Sequence, residues 1–254
     1  MSRIRPHEIQ KWLDGLSYGS APHCKALMST IFSKAFAYEL LDRNIMTVRY
    51  KLPKRTEITR KVSEEVYCKD EAEDILRAIK GELFEGAYIL SMFGGCRRAE
   101  AVGCKVADLE WIDTDSGVYA VYHIKRGVQL VNGQLITVPP KTKGSERPAI
   151  VVPPYSERLK ELAESAEGEW LTGNGLGAPM NPNTMTVIWR RWFTEHPYKG
   201  IPWKNLRNSY VTIMHEQGYD LSLIAKLVGH ASEAMTYRKY DRPDAESLVR
   251  ALSR

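Results

Sequence analysis

Residues 118–152 read VYAVYHIKRGVQLVNGQLITVPPKTKGSERPAIVV, and their periodicity differs from that of the flanking sequence. The side chains of residues 118–124 alternate between two faces, as those of a half-buried strand do. The apolar runs 128–131 and 135–138 flank Asn132-Gly133, a dipeptide typical of two-residue β-hairpin turns. The pattern therefore predicts one strand followed by a β-hairpin.

A polar turn and another strand follow the hairpin. Pro139-Pro140 ends the apolar pattern, and the polar residues 141–147 precede a short apolar run at 149–152. We expect these strands to form a small antiparallel sheet, with residues 141–147 in a turn between two of them.

Helical periodicity lies on both sides of this sheet. Residues 9–16 carry one apolar stripe, and Pro22 suits the first turn of a second helix. The inward face of that second helix is predicted to comprise Leu27, Ile31, Ala35 and Tyr38, broadened by Phe32, Phe36 and Leu40. Further helices are predicted at 70–79, at 83–92, from about 98 and from 156 onward. The fold class is therefore mainly α with a small antiparallel β-sheet (α+β).

Positive charge is concentrated near the N-terminus. The whole chain of 254 residues has a net charge of +5, but residues 1–61 hold 12 basic and 5 acidic residues, a net of +7. Such asymmetry indicates either a polyanionic partner or a solvated basic surface, and charge alone favours neither. The aperiodic segment 51–63 reads as a linker between a helical domain at 1–50 and a larger domain at 64–254. Its basic residues, candidates for binding a polyanion, are Lys51, Lys54, Arg55, Arg60 and Lys61.

Several classes of protein are disfavoured by composition. No run approaches the roughly 18 apolar residues of a membrane helix, and no signal peptide is recognisable, so we expect a cytoplasmic protein. The four cysteines lack C-x-x-C spacing and are expected to be reduced thiols. No nucleotide-binding glycine motif and no metal-ligand cluster is present, so no cofactor and no metal are expected.

The candidate chemistry lies in an ordered series of cations that ends in a tyrosine. The series comprises Arg97, Lys141, Lys204, Arg207, His230 and Tyr240. Taken singly, each has an ordinary explanation, such as a surface arginine, a solvated turn, an amphipathic pair or a core histidine. The order and spacing of the six together are much harder to obtain by chance.

This series resembles the tyrosine recombinase (phage-type integrase) family along almost the whole chain. Gly95-Cys96-Arg97-Arg98-Ala99-Glu100 matches the motif of the family's first catalytic arginine, which implies that role for Arg97. Pro140-Lys141-Thr142 matches the motif of the family's catalytic lysine, which lies in a turn of the sheet. This implies that role for Lys141, with Lys143 as the alternative. The family's usual His-x-x-Arg motif is here Lys204-Asn205-Leu206-Arg207, in which a lysine replaces the histidine at the first position. Val228-Gly229-His230 resembles Leu-Gly-His, and Tyr240 falls at the nucleophile position, with Tyr237 as a nearby competitor.

The resemblance implies a DNA-cleaving chemistry that suits these residue types. Two arginines would neutralise the scissile phosphodiester, which otherwise repels a nucleophile. Tyr240 would attack phosphorus to form a 3′-phosphotyrosine, and Lys141 would protonate the leaving 5′-oxygen. Lys204 and His230 would position the phosphate or assist proton movement. No ATP would be needed, because the protein–DNA ester stores the energy of the broken bond.

The resemblance also implies partners and an architecture. A helical core-binding domain and a catalytic domain would clamp duplex DNA, and a homotetramer would assemble on it. A tail from about residue 241 would pack on its own or a neighbouring subunit, and accessory DNA-bending or directionality factors would be further partners. Less helix precedes Pro6 than in the family, so we expect a truncated chain, with a naturally minimal variant as the alternative.

Two other functions are compatible with the same pattern. A recombinase that resolves chromosome dimers would share the chemistry, and a catalytically silent DNA-binding regulator would share only the fold. The hairpin and the Pro-Lys-Thr sequence favour an integrase of a phage or another mobile element.

Overall fold

The structure is a computed structural model that describes residues 4–54, 66–140 and 147–229. The chain divides into two compact units, Met1–Arg60 and Lys61–Arg254. The fold class predicted from the sequence is confirmed, since the described residues are mainly helical with small antiparallel sheets.

The first unit contains two helices, α1 (Pro6–Asp14) and α2 (Ala21–Ala37), followed by a 3₁₀ turn at Ile45–Thr47. Helix α1 begins at a proline, whose fixed φ suits the first helical position. The Glu8 carboxylate accepts the backbone N–H of Arg5 at 2.7 Å and so caps the helix. The small core of this unit comprises Ile9, Leu13, Phe32, Ile45, Met46 and Tyr50.

The buried face of α2 differs from the one predicted. Phe32 and Ala35 are buried as expected, but the other apolar side chains of the predicted face are exposed. These exposed side chains are Leu27, Ile31, Phe36, Tyr38 and Leu40. Apolar residues lie on more than one side of α2, so periodicity alone does not select its inward face. The packing of α2 against α1 and the 3₁₀ turn selects it instead.

The second unit begins with α3 (Lys69–Ala78), α4 (Glu85–Met92) and α5 (Arg98–Val102). Every residue of α4 is buried, including the carboxylate of Glu85. Arg158 neutralises that carboxylate with two hydrogen bonds, of 2.7 Å from Nε and 3.0 Å from Nη2. A buried charge requires such a partner. Helix α4 therefore lies in the core and leads directly into the loop before α5.

In the described part of the chain, five strands follow α5: β1 (Leu109–Thr114), β2 (Gly117–His123), β3 (Gly127–Val131), β4 (Gln134–Val138) and β5 (Pro148–Val151). They form two antiparallel sheets where the sequence predicts one. The larger sheet has the strand order β1-β2-β5, and β3 pairs with β4 in a separate hairpin. The hairpin turn predicted at Asn132 and Gly133 is confirmed, since both have positive φ and Val131 pairs with Gln134.

Strand β1 has no counterpart in the sequence-based prediction. Among the described strands it pairs with β2 alone, and its side chains are half-buried or exposed, with none fully buried. A strand that buries so little of its surface has only a weak apolar alternation, so periodicity does not reveal it.

Four further helices complete the described part of the second unit: α6 (Tyr155–Glu164), α7 (Pro182–Glu195), α8 (Leu206–Glu216) and α9 (Leu221–Val228). Trp189 of α7 is fully buried and contacts the rings of Phe84 and Trp203 edge-on, with centroid separations of 5.6 Å and 5.1 Å. Trp170, Trp192 and Trp203 are buried in the core as well, whereas Trp12 of the first unit is 43% exposed.

Two further expectations from the sequence concern the state of the cysteines and the presence of membrane helices. All four cysteines are free thiols, with Cys96 and Cys104 buried and Cys68 exposed. None of the described helices is long and apolar enough to cross a membrane.

Candidate active site

The loop between α4 and α5 carries the first candidate residue, Arg97. Gly95 in this loop has a φ of +66°, and a Cβ there would lie 2.8 Å from Cδ1 of Tyr210. Glycine alone satisfies both the left-handed backbone and the close approach of the ring. The chain turns at this point, and Arg97 becomes the N-cap of α5.

Glu100 orients Arg97 from one turn further along α5. Its Oε2 accepts the backbone N–H of Arg97 at 2.8 Å, and its Oε1 accepts Nη1 at 2.7 Å. The side chain of Glu100 is 10% exposed, whereas that of Arg97 is 44% exposed. The carboxylate therefore fixes the direction of the guanidinium and leaves part of it accessible to a ligand.

Arg207 reaches the same loop from the first turn of α8. It is 9% exposed, and its Nη1 donates to the carbonyl oxygen of Gly95 at 2.8 Å. Its Nη2 donates to the carbonyl oxygen of Val228, in the last turn of α9. Arg207 thus connects the loop that carries Arg97 to the end of the helix that precedes His230 in the sequence.

Arg147, which immediately precedes β5, is a third arginine at this site. It is 8% exposed, its Nε donates to the carbonyl oxygen of Leu227 at 2.7 Å, and its Nη2 donates to Oε2 of Glu100 at 3.2 Å. Arg147 is not among the site residues predicted from the sequence. The available signal is the arginine that ends the polar turn after Lys141, but sequence alone does not show that its side chain points inward.

The electrostatics of the cluster favour an anionic ligand. Burial would raise the pKa of Glu100, but the charge of Arg147 and hydrogen bonds from Arg97 and Arg147 lower it, so the carboxylate is ionised. Burial and the positive charges of Arg97 and Arg147 lower the pKa of Arg207 to about 10. Three guanidiniums around one carboxylate leave an excess of positive charge, which a phosphodiester would neutralise.

A family comparison agrees with this geometry. The sequence model of the phage integrase family matches residues 66–247, which include Arg97, Arg147 and Arg207. The chain belongs to the phage integrase family. It is therefore a site-specific recombinase of the tyrosine class, which cuts and rejoins DNA strands.

Related proteins extend the likeness over the whole chain. A XerC-like tyrosine recombinase of Caldanaerobacter subterraneus subsp. tengcongensis is 23% identical, and the alignment covers 94% of this chain and 68% of that protein. Among solved structures, the integrase of transposon Tn1549 in complex with circular intermediate DNA has a TM-score of 0.72 at 15% identity, covering 100% of this chain and 86% of that one. A lambda integrase dimer bound to a core site has a TM-score of 0.62 at 19% identity, covering 96% and 82%.

Lys204 of this recombinase lies in different surroundings from Arg207. Lys204 belongs to a 3₁₀ turn, Trp203–Asn205, that immediately precedes α8. Its side chain is exposed, while Trp203 and Asn205 on either side of it are buried. Lys204 and Arg207 therefore differ in burial, although their spacing of three residues is typical of side chains on one face of a helix.

His230 and Tyr240, two of the remaining candidate residues, follow the end of α9 in the sequence. Asp220 caps the start of this helix, accepting the N–H of Ser222 at 2.7 Å, and Gly229 ends it with a φ of +62°. His230 is the next residue in the sequence. His230, Tyr237 and Tyr240 lie outside the described residues, as do Lys141 and Lys143.

The basic linker of the recombinase is described only at its start. Lys51 and Lys54 are exposed, and the side-chain amide of Gln10 anchors the backbone of Lys51 with hydrogen bonds of 2.9 Å and 3.0 Å. Arg55, Arg60 and Lys61 lie outside the described residues. Within the described ranges, no group of three or more His, Cys, Asp or Glu residues could hold a metal ion.

Proposed function

We propose that this recombinase is an integrase that inserts or excises a phage or another mobile element through a 3′-phosphotyrosyl intermediate. The observation that carries the proposal is the arginine cluster at the loop before α5, where Arg97 and Arg147 pair with the carboxylate of Glu100 and Arg207 donates to the carbonyl oxygen of Gly95. Such a cluster holds guanidinium groups in fixed orientations with positive charge in excess, which suits the developing charge of a phosphoryl transition state.

In the proposed reaction Tyr240 is the nucleophile. Its phenolic oxygen forms a bond to phosphorus as the bond from phosphorus to the 5′-oxygen breaks, and the phenolic proton passes to solvent or a nearby base. Lys141 supplies a proton to the departing 5′-oxygen, with Lys143 as the alternative donor. Reversal of the step with a different 5′-hydroxyl rejoins the strand, so neither ATP nor another cofactor is consumed.

The other candidates have supporting roles in this proposal. Arg97 and Arg207 bind the non-bridging oxygens of the phosphate, since both are fixed near Gly95. Lys204 and His230 position the phosphate or assist proton movement near Tyr240. The linker residues Lys51, Lys54, Arg55, Arg60 and Lys61 contact the DNA backbone and give salt-dependent affinity.

The proposed partners are duplex DNA and further copies of the chain. Structures of lambda integrase with a similar fold contain a dimer on a core site and a tetramer on a Holliday junction. By analogy, a helical domain at 1–50, a linker at 51–63 and a catalytic domain at 64–254 would surround the duplex, and four chains would form the synaptic complex. Accessory DNA-bending or directionality factors would then select integration or excision.

The test is covalent trapping on DNA. Genomic fragments that the wild-type chain retains covalently are sequenced first, which identifies the core site. A nicked duplex with that site then loses the short 5′-hydroxyl strand after cleavage, so the adduct accumulates. Wild type should give a covalent adduct on a denaturing gel, and Tyr240→Phe should give none.

Tyr237→Phe is the matched control, because it removes a neighbouring phenol and should retain the adduct. An adduct that persists in Tyr240→Phe and disappears in Tyr237→Phe would assign the nucleophile to Tyr237. Absence of any adduct from the wild type, despite retained DNA binding, would instead favour a silent DNA-binding regulator.

A further inference from the structure

Arg147 joins three segments that are far apart in the sequence. Its Nη2 donates to the carbonyl oxygen of Gly95 at 3.4 Å and to Glu100 Oε2 at 3.2 Å, while its Nε donates to the carbonyl oxygen of Leu227 at 2.7 Å. One guanidinium thus holds the loop before Arg97, the carboxylate that orients Arg97, and the last turn of α9. A lysine ammonium, which is a compact point charge, could not reproduce this fork.

Arg147 and Arg207 form a paired clamp on the same two segments. Both donate to the carbonyl oxygen of Gly95, and they take the successive carbonyl oxygens of Leu227 and Val228 at the end of α9. The loop and the helix end are therefore tied together twice. Removal of Arg147 would leave Arg207 as the remaining arginine that connects them among the described residues.

Its ion pair with Glu100 separates Arg147 from a direct contact with DNA, because the equally buried Arg207 has no carboxylate partner within salt-bridge distance among the described residues. The side chain of Arg147 is 6% exposed, compared with 44% for Arg97. Its Nη1 is fully buried and has no hydrogen-bond partner among the described residues. A phosphate on the protein surface would meet Arg97 before it could reach Arg147, so the charge of Arg147 acts on Glu100 and the loop.

We propose that Arg147 is a positioning residue for strand cleavage, which fixes the orientation of Arg97 through Glu100 and the carbonyl of Gly95. The inference rests on the proposed function, since it assigns the contribution of Arg147 to the same cleavage step. Displacement of a phosphate-binding group by about 1 Å can cost on the order of 10²-fold in rate. Loss of Arg147 should therefore slow the chemical step and leave the affinity for DNA nearly unchanged.

The experiment compares Arg147→Gln and Arg147→Lys with wild type in single-turnover cleavage of the nicked duplex at saturating protein. We expect the cleavage rate to fall by about 10²-fold in Arg147→Gln and to recover only in part in Arg147→Lys. The dissociation constant for the uncleaved site, and its dependence on salt, should match those of the wild type. If the slope of log affinity against log salt concentration fell in magnitude by about 0.9, Arg147 would contact a phosphate, which would overturn the positioning role.

A double-mutant cycle identifies the route through Glu100. Because Arg147 acts in part through that carboxylate, Glu100→Gln combined with Arg147→Gln should lose less cleavage rate than the product of the two single losses. Rate losses that multiply would show that Arg147 acts independently of Glu100, contrary to the proposal. The rate of each variant is measured well below its own melting temperature, so that the folded fraction is the same.

Arg158→Gln is the control for a structural role. It also breaks an ion pair with a buried carboxylate, that of Glu85, and should lower the melting temperature without slowing cleavage by the folded protein. If the wild type cleaves and Arg147→Gln cleaves equally fast, only this inference fails. If the wild type forms no adduct at all, the proposed function fails and this inference fails with it.

Discussion

Arg207 donates a hydrogen bond from Nη1 to the carbonyl oxygen of Gly95 at 2.8 Å, so a residue of α8 holds the loop that carries Arg97. The bond ties Arg207 to the loop before Arg97, and the positive charge of Arg97 contributes to lowering the pKa of Arg207. Positive charge is thereby concentrated at one place before any DNA is bound. Preorganisation of this kind reduces the reorganisation required during the reaction.

The first prediction concerns the fork of Arg207. Arg207→Lys keeps the positive charge but cannot hold the carbonyl oxygens of Gly95 and Val228 while also presenting a donor to phosphate. We expect the single-turnover cleavage rate to fall by about 10²-fold or more, with a much smaller change in DNA affinity. Arg191→Lys, at an exposed arginine of α7 paired with Glu195, is the control and should cleave at the wild-type rate. Equal cleavage by both variants would contradict the role of the fork.

The second prediction concerns the turn at Gly95. Gly95→Ala places a Cβ 2.8 Å from the Tyr210 ring and imposes a positive φ on a non-glycine residue. We expect the free energy of unfolding to fall by about 3 kcal/mol, which combines backbone strain with overpacking. Gly133→Ala isolates the strain, because Gly133 also has a positive φ but nothing lies within 4 Å of the position that its new methyl group would take. That control should lose only about 1 kcal/mol in urea denaturation, and equal losses would exclude the ring contact as a cause.

The site and the fold differ in how far sequence predicts them. The helices and the hairpin follow from local periodicity and from Asn132-Gly133, because those signals lie within a few consecutive residues. The inward face of α2 and strand β1 depend on tertiary packing, which local pattern does not encode. Sequence does not reveal Arg147 for the same reason, because its acceptors at Gly95, Glu100 and Leu227 come from segments that converge only in the folded chain.

The third prediction concerns the pH dependence of the buried carboxylate. Since the folded-state pKa of Glu100 lies below its ordinary value of 4.5, its stabilising contribution is present above that pH and is lost as the pH falls through the folded-state pKa. Glu100→Gln leaves three guanidiniums without their shared counter-charge and should lower the free energy of unfolding at pH 7 by about 3 kcal/mol.

The measurement is urea denaturation of wild type and Glu100→Gln at several pH values. The difference in stability between the two should be constant from pH 7 to about pH 5 and should shrink at lower pH. Glu82→Gln, at an exposed carboxylate, is the control and should differ little from wild type across the range. A difference that grows on acidification would have the wrong sign for an ionised Glu100.

The fourth prediction concerns the start of the basic linker. If Lys54 and Arg55 contact the DNA backbone, replacing both with alanine weakens binding to specific and non-specific duplexes alike, because phosphate contacts carry no sequence information. Each lost phosphate contact should lower the slope of log affinity against log salt by about 0.9. The charge-retaining variant Lys54→Arg with Arg55→Lys is the control and should keep the wild-type slope. Fluorescence anisotropy with labelled duplexes between low and moderate salt measures both quantities, and an unchanged slope in the alanine variant would remove these two residues from the interface.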